Sequence, residues 1–186
     1  MDGSDLPGDL DAFNQWWLEE PKLDAGRTSD RIPPRGALRP EMMVIVPEPE
    51  ADDEDRLLSG PQGQLLDAIL AALNLDPAHT YIASILPRHT PMADWGEVTS
   101  RGLGITLLQH ITLVRPQRLL VFGTNIPPLL QNDPAHNRAS LRLFNHEDLS
   151  IPLFVARGLP ALLERPRWKA MLWQGLLDWT GTDQPA

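Results

Sequence analysis

The sequence predicts an α/β fold, a three-layer sandwich with a central, mostly parallel four-stranded sheet flanked by helices. Three observations predict it. Four short strand-like runs rich in apolar and β-branched residues (Met42–Val46, Tyr81–Leu86, Leu119–Phe122 and Ile151–Val155) recur along the chain. Segments of helical period separate them, an alternation that argues for a layered α/β architecture. With 186 residues and 42% hydrophobic side chains, the chain suffices for one cored domain with some tail.

Taken in order, residues 1–9 are rich in Gly, Ser, Asp and Pro and are expected to be disordered. Leu10, Phe13, Trp16, Trp17 and Leu18 then fall at helical spacing and present an aromatic face. Residues 20–40, rich in Pro, Arg and Asp, read as a linker or extended arm. The alternation follows: strand 42–46, helix 62–74, strand 81–86, a helix within 97–114, strand 119–122, helix 125–131, strand 151–155 and a helical tail at 166–180. This divides the chain into an N-terminal segment, 1–40, and a domain, 41–182.

Composition narrows the function classes. No window approaches 18 consecutive apolar residues and the start of the chain is acidic, so neither a membrane span nor a secretory leader is expected. The absence of cysteine excludes disulfides, thiolate metal sites and iron–sulfur clusters. A cytoplasmic protein without cofactor or metal is the expectation. The formal charge is −9, and all of it lies in residues 1–60, which hold 15 acidic and 6 basic side chains; residues 61–186 hold 10 of each. A duplex binder usually carries a basic surplus, because phosphate neutralisation supplies most nonspecific affinity. DNA contacts, if made, must come from a local patch, for which Arg157, Arg165, Arg167 and Lys169 are candidates; the same cluster also reads as an ordinary solvated helix start.

Ligands of open α/β sheets gather at the carboxyl ends of the strands. Those ends are Val46-Pro47-Glu48-Pro49, Leu86-Pro87-Arg88-His89, Gly123-Thr124 and Ala156-Arg157-Gly158-Leu159. Glu48 could act on a water and His89 could stand near the pocket as a substitute donor, although both also read as surface loop residues. Asp52 to Asp55 read as a self-repelling solvated run, since four consecutive acids cannot all converge on one ion. Phe13, Trp16 and Trp17 fit either a partner-binding hot spot or a face buried at home.

One pattern goes further. Strand 42–46, an acidic loop (Glu48 to Asp55) and Gly63-Gln64-Leu65-Leu66-Asp67 are followed by Ile82-Ala83-Ser84, by Arg115-Pro116-Gln117-Arg118-Leu119-Leu120-Val121-Phe122-Gly123, and by Leu159-Pro160-Ala161-Leu162-Leu163-Glu164-Arg165-Pro166-Arg167-Trp168-Lys169 with Trp173. In order and spacing this resembles the uracil-DNA glycosylase superfamily, closest to its thermophile-type branch, over residues 42–180. The resemblance implies the sandwich fold and a base pocket at Pro47, Glu48, Pro49, Ser84, Gly123, Gly158 and Leu159. Uracil excision needs the flipped base read at its Watson–Crick edge and the developing anion stabilised. For this the family supplies a first-loop polar residue, an Asn, a His and a stacking aromatic ring. Here Ser84 stands at the Asn position and Leu159, or Gly158, at the His position. No aromatic ring precedes Gly63, and Arg88 takes the place of a cluster cysteine.

The chain is also similar in plan to the psi subunit of the bacterial DNA polymerase III clamp-loader assembly, a reduced glycosylase fold whose N-terminal arm docks on a partner. The resemblance covers mainly Leu159 to Gln174. The expectation is a noncatalytic glycosylase-fold protein acting as an interaction module in DNA replication or repair, with a partner held through residues 1–40; the alternative is an active DNA glycosylase with a non-standard site.

Overall fold

The computed structural model describes residues 6–130 and 141–181. It is an α/β structure built on a five-stranded mixed sheet with helices on both faces. The strands are β1 (Met42–Val46), β2 (Thr80–Ser84), β3 (Arg118–Phe122), β4 (Leu141–His146) and β5 (Leu149–Ala156), in the spatial order β2-β1-β3-β5-β4. β2, β1, β3 and β5 run parallel, and β4 pairs antiparallel with β5 at one edge. The hairpin strand β4 and its turn at Glu147-Asp148 extend the expected four-stranded sheet by one.

Side-chain alternation splits the core into two layers. Met43, Ile45, Tyr81, Leu119, Val121 and Leu153 face α1 (Leu10–Glu19) and α4 (Leu103–Val114), with the short α3 (Trp95–Ser100) beside them. Met42, Val44, Val46, Leu120, Phe122 and Phe154 face α2 (Pro61–Ala72), α5 (Leu159–Glu164) and α6 (Pro166–Gly181). Burial on both faces explains why the central strands read as near-continuous apolar runs. Helix starts are specified locally: the Asp9 carboxylate accepts from the Ala12 N–H at 2.9 Å, and Asp94 caps α3 through Gly96 and Glu97.

The helical tail expected at 166–180 is α6, and the short α5 before it ends at Arg165-Pro166, because proline supplies no N–H to continue it. Two expectations are corrected. Residues 127–130 form a single 3-10 turn, without the α-helix expected over 125–131. The other concerns residues 20–40, which are packed rather than free. Ile32 N–H donates to the Pro87 carbonyl (2.7 Å), Arg35 and Ile82 exchange both backbone bonds (2.9 and 2.7 Å), and Arg39 N–H reaches the Val114 carbonyl. The segment thus covers the otherwise open edge of β2. The expected disorder of residues 1–9 lies partly outside the described residues, and Pro7 is held by Gln109 through its carbonyl at 2.9 Å.

Under α1 lies a buried polar pair. His110 is 2% exposed, its ring centroid 4.4 Å from Phe13, and its Nε2 is 3.0 Å from the Tyr81 hydroxyl. Burial pushes the His110 imidazole down from 6.5 to about 3 and the Tyr81 phenol up. Between those two His110 values the unfolded chain binds a proton that the folded one refuses. Stability therefore falls as the pH falls through this window, by up to about 1.4 kcal/mol per unit. The urea midpoint is expected to drop between pH 7 and pH 5, and His110→Gln to flatten that slope; equal slopes in both proteins would exclude His110 as its source.

Candidate functional site

The strand order 2-1-3 places the topological switch point between β1 and β3, where the carboxyl-end loops diverge and a ligand crevice is expected. Pro47 narrows that crevice from the β1 side. Gly123 has φ +139°, and a Cβ placed there would meet the Pro47 Cγ at 3.0 Å. The proline ring therefore packs directly on the backbone of the β3 loop. Pro47 is further tied to β2 through its carbonyl, which accepts from Leu86 N–H at 2.9 Å.

Of the other positions that the resemblance assigns to a base pocket, Ser84, Leu159 and Pro49 are buried. Ser84 is 4% exposed at the last register position of β2, opposite Val46. Leu159 is fully buried in the α2/α5/α6 layer, so the position expected to carry a donor is instead part of the hydrophobic core. Gly158 supplies the extended N-cap of α5 and no side chain. Pro49 is buried.

Glu48 and His89 do meet. The Glu48 carboxylate lies 3.4 Å from His89 Nδ1 and accepts a hydrogen bond from the Thr90 N–H. The same Nδ1 is 3.1 Å from the Pro49 carbonyl, and since a carbonyl only accepts, the Nδ1 proton points there. An open cleft of about 490 Å³ borders His89 and Arg88. Its remaining walls carry Asp30, Glu50, Asp53, Glu54 and Asp55, a surround that repels phosphate.

The acidic loop is more than a solvated run. Glu50, 7% exposed, accepts from the N–H groups of Gly60, Gln62 and Gly63 at 2.9–3.2 Å. It caps α2 from ten residues upstream, where the N-cap residue Gly60 has no side chain to do so. Asp53 accepts from the N–H groups of Glu50, Leu58 and Ser59 and from the Ser59 hydroxyl. Burial would raise its carboxyl, but the Ser59 hydroxyl and the three backbone N–H groups hold it below the usual value. Asp52, Glu54 and Asp55 are exposed, and no group of three or more metal-ligating side chains occurs among the described residues. A cap drawn from so far upstream was legible only indirectly, in a helix start, Gly60-Pro61, lacking a local capping side chain.

Arg88 is held by Asp24 (2.5 Å), which also pairs with Arg31 at 2.9 Å. Burial would raise the Asp24 carboxyl, but hydrogen bonds from Arg88, Arg31 and the Gly26 amide together hold it low. Phe13 (0% exposed) and Trp17 (3%) are buried against α4, and the Trp17 indole N–H donates to the Ile32 carbonyl at 3.1 Å. This corrects their reading as partner contacts; Trp16 is half-buried.

At the carboxyl end of β5 the basic residues do assemble. The guanidinium carbons of Arg157, Arg165 and Arg167 lie 4.4, 4.5 and 5.7 Å from the Trp168 ring centroid. The three arginines are exposed, while Trp168 and Lys169 are half-buried. The sequence grouped the cations but missed the indole that gathers them. Among the described residues no helix is long and apolar enough to cross a membrane. No protein-family model matches the chain, and no curated protein sequence matches it.

Proposed function

We propose that this chain is a noncatalytic protein of uracil-DNA glycosylase-like fold, serving as an interaction module in DNA replication or repair. One observation carries the noncatalytic part. The positions that would read and cleave a base are built into the scaffold: Leu159 in the core, Ser84 buried in β2, and Pro47 packed into the switch-point crevice. A flipped base would meet no Asn amide or imidazole at those positions to read its edge or to face its developing charge. Four parallel strands between helical layers are the arrangement the resemblance implies, which supports the fold assignment. The partner-docking part loses Phe13 and Trp17, since both are spent on packing the N-terminal helix at home.

The second reading, excision of uracil or another damaged base by a non-standard site, is favoured by the Glu48–His89 contact alone. Its carboxylate is engaged by the Thr90 N–H, and the adjoining cleft is acidic. The test is incubation with single- and double-stranded uracil-containing oligonucleotides followed by alkaline cleavage. No abasic sites are expected above those formed with a Glu48→Ala control. Cleavage that depends on Glu48 would replace the first reading with the second.

A further inference from the structure

We propose that Arg157, Arg165, Arg167 and Trp168 form a binding site for the phosphate backbone of a single-stranded nucleic acid. This deepens the reading above and rests on it only in choosing nucleic acid as the polyanion.

Three exposed guanidiniums gathered within 5.7 Å of one indole centroid repel one another. Among the described residues, none of the three is in an ion pair. The nearest acid in sequence is the exposed Glu164, and Lys169 adds a fourth cation. What holds the trio is Trp168: its ring attracts cations, and its half-buried packing against the α2/α5/α6 core keeps it in place. The cluster is therefore organised before any ligand arrives, with its donors free. Guanidinium forks match phosphate oxygens and present flat faces on which a base can stack.

The surroundings select the strand type. Residues 61–186 are neutral and residues 1–60 carry the −9, so the patch is a small cationic island on an acidic protein. A duplex carries one charge per roughly 1.7 Å and is stiff, so most of its phosphates would find no cation beyond this small patch. A flexible single strand, with half that linear charge density, can touch the island and lead away. The patch follows β5, two strands from β1 and so about 10 Å from the Glu48 loop. A strand bound there need not enter the acidic cleft.

The test is fluorescence anisotropy of a labelled single-stranded oligonucleotide against the full chain over a salt series. Three neutralised phosphates predict a log–log salt slope of about −2, and micromolar affinity at moderate salt. Arg157→Gln/Arg165→Gln/Arg167→Gln is expected to weaken binding at least tenfold and flatten the slope. Trp168→Leu, which keeps apolar volume, is expected to weaken binding several-fold. Arg101→Ala, removing an arginine paired with Glu97 (2.6 Å), is expected to change nothing. Thermal melts of each variant separate lost binding from lost fold. Absent binding, or binding retained in the folded triple variant, would overturn the proposal. So would tighter binding of a matched duplex, or competition by polyglutamate or inorganic phosphate as effective as that by unlabelled strand. None of these outcomes touches the noncatalytic reading, which uracil excision alone decides.

Discussion

Replacing Gly63 with alanine is expected to destabilise the protein by about 3 kcal/mol, the upper end of the usual range for added bulk in a packed site. The Cβ would stand 1.9 Å from the Leu58 carbonyl oxygen and 2.7 Å from its carbon. Both are backbone atoms, so no side chain can swing aside. Leu58 is itself at φ +57°, and its N–H is held by Asp53 (2.8 Å), so the loop is fixed on both sides of the collision. Moving α2 away would instead break the bonds from Gly60, Gln62 and Gly63 to Glu50, leaving a buried carboxylate short of donors. Chemical denaturation of Gly63→Ala checks the size of the effect, with Gln64→Ala, an exposed neighbour, as reference. A loss below about 1 kcal/mol would mean that the approach of α2 to the loop is not tight.

Asp24→Ala is expected to cost about 3 kcal/mol, the low end for breaking a buried ion pair. The Arg31 side chain is fully buried and would keep only the Trp17 and Glu20 carbonyls (3.0 and 2.8 Å) as partners. Arg88 would lose its anion as well. The pH dependence has a definite sign. Because the folded carboxyl lies below its ordinary 3.8, the contribution is complete above that value and fades as the pH falls through the lower folded one. Wild type and Asp24→Ala should therefore differ fully at pH 7 and converge in strong acid. A pH-independent gap would assign the loss to packing.

Much of the scaffold was legible in the residues themselves. Met42–Val46 and Leu119–Phe122 announce buried strands because every side chain there is apolar, and the strands lie at those positions to within a residue. The 141–146 strand was missed because Arg142, Asn145 and His146 break any apolar run; only its pairing with Leu149–Ala156 makes it a strand. The 20–40 segment looked like a linker for the same reason. Its prolines and arginines carry no period, yet backbone bonds to Ile82 and Pro87 and the Arg31–Asp24 pair hold it.

For the candidate site, sequence determined which residue types stand at the strand ends, and hence that no Asn or His is present at the positions where the resemblance implies them. It also determined that cations gather near residues 157–169. Only the tertiary structure decided that Pro47 packs against Gly123 at the switch point, that Glu50 is a helix cap, and that three arginines surround Trp168. The division has a physical cause. Hydrophobic period acts over a few residues and is written locally, whereas packing, capping from ten residues away and cation–aromatic contact depend on which distant segments the sheet brings together.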